Sequence, residues 1–241
     1  EIERLKDDLI SNVSHELRTP LTSIKGAVEI LLTYQDEDPA MQAEFLGIID
    51  KESDRLARLI ENVLDIARFQ SGQMQFRLSE VEVPEVIDAA IRSTHSLTIQ
   101  KDLKVAILLK DDLPKVFSDQ DRLVQVVTNL LSNAIKFTPN GGSIQVQSGL
   151  SPISNGGSDS AMVEISVSDN GVGIDESELS NIFNRFQQAG DTLSSRPQGS
   201  GLGSHISREI MEHLGGKIWV ESKPGSGSTF FFTVPVEEAS G

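Results

Sequence analysis

Cysteine is absent from the chain, and with it go disulfides, thiol nucleophiles and thiolate metal sites. Long apolar runs are missing as well. None approaches the roughly 18 residues that would mark a membrane span, and the opening residues lack the pattern of a signal peptide. Basic residues are scarce beside acidic ones, 21 against 36, for a formal net charge of −15. Such a surface repels phosphate backbones, so DNA and RNA drop out as expected partners. The four histidines, at 15, 95, 205 and 213, are too scattered for metal-ligand spacing. An initiating methionine is lacking too. The expectation is a fragment of a longer protein, cytoplasmic as it stands, with any membrane contact carried by segments outside it.

What is present is 241 residues, 38% of them hydrophobic, enough for one large domain or two small ones. Apolar residues at Ile2, Leu5, Leu9, Val13, Leu17, Leu21, Ile24, Val28 and Leu31 step by three and four, which predicts one long amphipathic helix. The run "YQDEDPA" breaks it. A second stripe, Leu46, Ile49, Ser53, Leu56, Ile60, Val63 and Ala67, alternates the same steps like a heptad seam. Two long helices joined by a short loop make an antiparallel hairpin. A lone hairpin encloses almost no core, so we expect a homodimer in which two hairpins form a four-helix bundle.

After "FQSGQMQ" the character changes. "KVAILL", "SIQVQSG", "MVEISVSD", "GKIWVES" and "STFFFTVP" read as strands. "PEVIDAAIRSTHSLTIQ", "DQDRLVQVVTNLLSNAIKF" and "LGSHISREIMEHLG" read as helices. Together they make an α/β unit of about 160 residues, large enough to fold alone. "SPISNGGSDS" reads as a surface loop between two strands. The expected divisions are a hairpin over 1–72, a linker over 73–77, a second domain over 78–236 and a tail over 237–241. The fold class is α+β.

The first chemistry lies in "SHELRTPL". His15 stands two positions from both Val13 and Leu17, about 200° around the helix from each, so it points away from the apolar stripe. A neutral imidazole is nucleophilic at one nitrogen while the other holds the proton, and a neighbouring carboxylate, Glu16, can take that proton. Thr19 returns to the face of His15, where its hydroxyl can orient a water. Pro20 removes an amide donor and crowds the preceding turn, which predicts a bend there.

In the second unit, Asn129, Asn133 and Lys136 form a polar stripe on a helix otherwise built of Leu, Val and Ile. Amides are costly to bury without partners, so the stripe either faces water or lines a site. Asn oxygen suits Mg²⁺ and Lys suits phosphate. "DNGVGI" puts a carboxylate, Asp169, straight after a strand, followed by Gly171 and Gly173. Either this is a plain turn, or Asp169 accepts from an adenine amino group while the glycines let backbone approach the base. "QGSGLG" opens a helix, where Gly199, Gly201 and Gly203 can free amides for an anion.

These motifs carry a resemblance. "SHELRTPL" resembles the histidine box of sensor histidine kinases. The asparagine helix, "DNGVGI", "IFNRFQQ" and "QGSGLG" resemble, in order and spacing, the ATP-binding domain shared by histidine kinases, gyrase, ninety-kilodalton heat-shock chaperones and mismatch-repair ATPases. The likeness covers nearly the whole chain and implies a sandwich in which a mixed sheet backs three helices. It implies that His15 accepts the ATP γ-phosphoryl group with Glu16 assisting, and that Thr19 positions water for dephosphorylating a partner. Asn133 would ligate Mg²⁺, Asn129 and Lys136 would sit near the phosphates, and Asp169 would read adenine. Gln187 to Gly199 would form a lid over ATP, with Arg196 as a phosphate contact. Phe183 and Phe186 are candidates for lid-hinge packing or for core filling, and Arg185 for a structural role or for meeting the phosphoacceptor helices. The phosphoryl group would pass to an aspartate on a response-regulator receiver domain.

One departure stands out. After "GLG" the family usually continues with leucine and a small or apolar residue, whereas Ser204 and His205 follow here. If position 204 packs inward, serine forfeits burial on the order of 2–5 kcal/mol, and a polar pair would weaken ATP binding; His205 is alternatively a surface residue of no consequence. Two readings therefore stand beside an active kinase: a dimer scaffold that has lost turnover, and a phosphatase-dominant protein using Thr19.

Overall fold

The structure, a computed structural model, describes residues 2–33, 38–110, 112–151, 161–184 and 201–236, with backbone alone at 2–10 and 12. The chain divides into two compact units, Glu1–Met74 and Gln75–Gly241.

The first unit is a helical hairpin of α1 (Ile2–Thr33) and α2 (Pro39–Gln70). α1 is assigned as one helix straight through Pro20. The break before α2 is shorter than "YQDEDPA" suggests. Asp38 caps the new helix by accepting from the Ala40 amide at 3.1 Å, and Pro39 occupies its first turn, where a missing N–H leaves no bond unmade. Pro20 and Ala27 of α1 and Leu59 and Ile66 of α2 are buried. Two helices meet along a narrow seam, so the rest of each apolar face stays open. Leu21, Leu32, Leu46, Ile60 and Leu64 are all more than 45% exposed.

The second unit is built on a five-stranded sheet. In chain order its elements are β1 (Ser79–Val81), α3 (Val83–Gln100), β2 (Lys104–Leu109), β3 (Val116–Ser118), α4 (Gln120–Phe137), β4 (Ser143–Leu150) and β5 (Met162–Asp169). They continue with α5 (Glu176–Leu179), α6 (Gly203–His213), β6 (Lys217–Ser222) and β7 (Ser228–Pro235). The sheet order is β2-β4-β5-β7-β6, with β2 parallel to β4 and every other pair antiparallel. It is the mixed sheet expected from the sequence. β1 and β3 form a small antiparallel pair of their own; with only three residues each they carry too little alternation to be read from sequence.

Alternation decides which face is covered. Val146, Val167 and Phe230 stand in one row of the register and are buried, while Gln147, Phe231 and Trp219 belong to the neighbouring row on the opposite face. There Trp219 and Phe231 stack with ring centres 5.2 Å apart. α4 contributes Leu123, Val126, Val127, Leu130 and Leu131 to the core, and α6 contributes Ile206, Ile210 and Met211; none of these is more than 1% exposed.

Both ends of α4 are tied down. At its start the Asp119 carboxylate accepts from the Arg122 amide (3.1 Å) and from the Arg77 amide (2.7 Å). At its end the Lys101 ammonium donates to the carbonyls of Ile135, Lys136 and Thr138 at 2.7, 3.0 and 2.8 Å. Those acceptors would otherwise be short of partners, and a cation there also complements the helix dipole. Lys101→Met keeps the aliphatic stem but removes all three donors. We expect it to destabilise the second unit by about 2 kcal/mol, seen as a lower denaturant midpoint with an unchanged slope.

Candidate functional site

On the hairpin, His15 is exposed on α1. Thr19, one turn on, is exposed too, and its hydroxyl donates back to the His15 carbonyl at 3.4 Å. Glu16 faces elsewhere. Its carboxylate meets Arg55 of α2 at 3.7 Å, and the same guanidinium reaches Glu52 at 3.5 Å. Consecutive helical residues do not share a face, so His15 is exposed while the Glu16 carboxylate turns toward α2. Arg55 was not a sequence candidate; nothing in one sequence tells which α2 residue lies opposite an α1 carboxylate.

In the second unit two groups of candidates gather around α4. Asn129 donates to the Gly203 carbonyl and to the Ser207 hydroxyl, both at 3.3 Å, and Asn133 donates to the Ser204 hydroxyl at 3.4 Å. Gly203 sits so close that an added Cβ would lie 3.4 Å from the Asn129 amide carbon. Gly201 has φ +64, in the left-handed region that glycine occupies without strain. The asparagine stripe therefore faces the first turn of α6. The Lys136 ammonium lies 4.4 Å over the Phe137 ring.

The second group is the "DNGVGI" turn. Asp169 ends β5 half-buried and accepts from the Gly171 amide at 2.8 Å. Burial raises its pKa above the usual carboxylate value, opposed by hydrogen bonds from the Gly171 and Ser228 amides. A Cβ at Gly171 would stand 2.5 Å from the Phe137 carbonyl oxygen and 2.7 Å from the Asp169 carboxylate; one at Gly173 would meet the Lys223 carbonyl oxygen at 2.1 Å. The turn between β6 and β7 braces this loop, with the Gly225 amide donating to the Val172 carbonyl at 2.7 Å and Ile174 donating to the Ser222 hydroxyl at 2.9 Å. Gly227, which sequence reading passed over, has φ +86, and a Cβ there would meet the Asp169 carbonyl oxygen at 2.0 Å. The "PGSGS" turn was its visible signal. The Phe137 carbonyl joins the two groups, since the Val172 amide donates to it at 3.4 Å.

The departure at 204 and 205 resolves differently from either expectation. Ser204 is half-exposed and meets Asn133, so no leucine-sized burial is lost there. His205 is the inward residue, 4% exposed, with Nδ1 3.2 Å from the Phe183 carbonyl and Nε2 3.5 Å from Glu209. His205 stands one turn after Leu202, which is fully buried at the start of the helix. Phe183 is itself buried, edge-on to Phe230 at 6.3 Å. Arg185, Phe186, Arg196, Gly199 and the whole span from Gln187 to Gly199 lie outside the described residues.

The donor set fits a nucleotide with a divalent cation. Among the described residues no side chain caps the start of α6, and a helix start favours an anion. Both asparagines engage through nitrogen, which reserves two hard oxygens. A half-buried carboxylate stands where glycines 171 and 173 leave no room for side chains.

Comparison with known proteins accords with this layout. Residues 118–238 match the model for "Histidine kinase-, DNA gyrase B-, and HSP90-like ATPase", and residues 5–72 match "His Kinase A (phospho-acceptor) domain". The chain is 35% identical to Drug sensory protein A of Synechocystis sp., covering 99% of this chain and 36% of that one. It is 34% identical to Sensor protein GacS of Pseudomonas syringae, covering 99% and 26%. The chain thus spans about a quarter to a third of these curated relatives. Among solved structures, histidine kinase ThkA in complex with response regulator protein TrrA aligns with TM-score 0.68 and 25% identity, over 98% of this chain and 64% of that one. Full-length ShkA in complex with AMPPNP aligns with TM-score 0.67 and 25% identity, over 97% and 47%.

The raised pKa of Asp169 has a consequence for stability. The folded state holds this proton more tightly than the unfolded chain, so the contribution is present at low pH and is lost as pH rises through the folded value. Asp169→Asn removes that loss. We expect the variant to gain stability relative to the parent between pH 3.5 and pH 7 in denaturant melts.

Proposed function

The chain belongs to the histidine kinase, DNA gyrase B and HSP90-like ATPase family and carries a His Kinase A phosphoacceptor domain; from that premise we propose that it is the transmitter core of a sensor histidine kinase, acting where ATP is held, in the cytoplasm. The observation that carries the reading is an exposed imidazole, His15, inside the phosphoacceptor match of a chain whose second unit matches the ATPase model.

In the proposed reaction a neutral His15 nitrogen attacks the γ-phosphorus of ATP. A P–N bond forms, the bond to the β–γ bridging oxygen breaks, and ADP leaves with that electron pair. The proton on the other imidazole nitrogen passes to a carboxylate, for which Glu16 is the candidate. Because Glu16 meets Arg55 across the hairpin, it serves only once that ion pair yields. Asp169 would accept from the adenine amino group, Asn129 and Lys136 would flank the phosphates with Arg196, and Asn133 would hold Mg²⁺. The glycines at 171, 173, 199, 201 and 203 would admit the nucleotide against backbone. Bound Mg²⁺ supplies charge neutralisation at the phosphates, and the protein's share is positioning.

The acceptor downstream is proposed to be an aspartate of a response-regulator receiver domain, by likeness to ThkA, whose structure is a complex with such a regulator. The exposed apolar face of the hairpin supports a homodimer, with Leu21, Leu46, Ile60 and Leu64 covered by a second copy. Thr19, with its hydroxyl oxygen still able to accept from water, is proposed to position the water that dephosphorylates the regulator.

Incubation with γ-labelled ATP should leave an acid-labile, alkali-stable label that His15→Gln abolishes; a label surviving that substitution refutes His15 as acceptor. Asp169→Asn should weaken nucleotide binding about tenfold or more, measured by calorimetry. Thr19→Ala should keep the label yet slow regulator dephosphorylation by on the order of 10- to 100-fold. Ile60→Glu together with Leu64→Glu should convert a dimer to monomer in sedimentation equilibrium.

A further inference from the structure

A carboxamide has two ends of nearly equal shape and opposite hydrogen-bonding character. Only its oxygen can hold a hard cation, and rotation about the last side-chain bond exchanges the two. A ligating asparagine therefore needs something to choose its sense. On α4 the first turn of α6 makes that choice. Asn129 donates to the Gly203 carbonyl, an atom that can only accept, and also to the Ser207 hydroxyl. Asn133 donates to Ser204 Oγ. Both nitrogen ends are thereby turned onto α6, and both oxygens lie across the same trigonal carbon from it.

We propose that Ser204 is a positioning residue: its hydroxyl accepts the Asn133 amide hydrogen and presents the Asn133 oxygen to the divalent cation of the bound nucleotide. This rests on the reading of Asn133 as the magnesium ligand and adds what aims it. Ser204 suits the task because its helix cannot drift, with Ile206, Ile210 and Met211 of α6 fully buried. The two asparagines are not held alike. Asn129 has a second, main-chain acceptor, whereas Ser204 supplies the one hydrogen bond recorded for Asn133 among the described residues. Removing the hydroxyl leaves Asn129 in place and frees Asn133 to rotate. Metal-free nucleotide would notice little, and the metal-bound form would notice more.

Equilibrium titration with ADP, with and without Mg²⁺, separates the two. The quantity read is the factor by which Mg²⁺ strengthens ADP binding, compared for the parent chain, Ser204→Ala, Ser204→Thr and Asn133→Ala. Ser204→Ala should reduce that factor about three- to tenfold while metal-free affinity stays within about twofold, and Ser204→Thr should restore it by returning the hydroxyl. Asn133→Ala should abolish the enhancement. An unchanged factor in Ser204→Ala, with the loss seen in Asn133→Ala, overturns the inference alone. An equal loss of metal-free and metal-bound affinity in Ser204→Ala also overturns it, because the serine then merely supports the packing of α6. Full enhancement in Asn133→Ala overturns both the assignment of the ligand and the inference built on it.

Discussion

The constraint on which the second unit depends is that α4 must bury a face of leucine and valine while carrying two carboxamides near its middle. An amide taken from water without a partner is costly. Here the cost is offset by the helix that packs beside it: the Gly203 carbonyl and the hydroxyls of Ser204 and Ser207 accept what Asn129 and Asn133 donate. The same contacts hold the start of α6 next to the asparagines. Packing and chemistry are thus served by one set of hydrogen bonds. The Lys101 cap fixes the far end of α4, and the Phe137 carbonyl then meets the loop that carries Asp169. A single well-anchored helix sets the positions of both halves of the proposed nucleotide site.

The hairpin solves a different problem. Its seam is too narrow to cover the apolar surface it carries, and the exposed leucines and isoleucines leave it incomplete as a monomer. His15 lies off that surface, exposed, so association through the apolar face leaves the imidazole accessible. Glu16 is held by a guanidinium that also serves Glu52. Two carboxylates sharing one cation leave neither fully neutralised, and the oxygens that face Arg55, Oε2 of Glu16 and of Glu52, are buried without a hydrogen bond among the described residues. The pairing is therefore one that a competing partner can break without uncovering a saturated site.

Legibility followed the range of the interactions. Long periodic helices and buried strands were readable because each repeats a pattern over many residues: α1, α2, α3 and α4 and the five strands of the main sheet all stand where apolar spacing put them. β1, β3 and α5 are three or four residues long, too short for any period. The asparagine stripe was readable as polar residues at helical spacing, but its facing partner was not. Ser204 shares a helix face with the buried Ser207 and Met211, so phase alone admits an inward position, and its partial exposure is set by tertiary packing that no local pattern encodes. His205, the truly inward residue, took the place assigned to its neighbour. Arg55 and Gly227 contribute through contacts far apart in sequence, which one chain alone does not encode in any local pattern.

The parallel pairing of β2 with β4 at the edge of the sheet has a consequence for the order of assembly. A parallel neighbour cannot be reached by a tight turn, and here the chain leaves β2, forms β3, runs the length of α4 and only then returns as β4. The hairpins β4–β5 and β6–β7 close over 11 and 5 intervening residues, whereas β2–β4 spans 33 and β5–β7 spans 58. The two hairpins should therefore gain amide protection first during refolding, with the β2–β4 and β5–β7 pairings following.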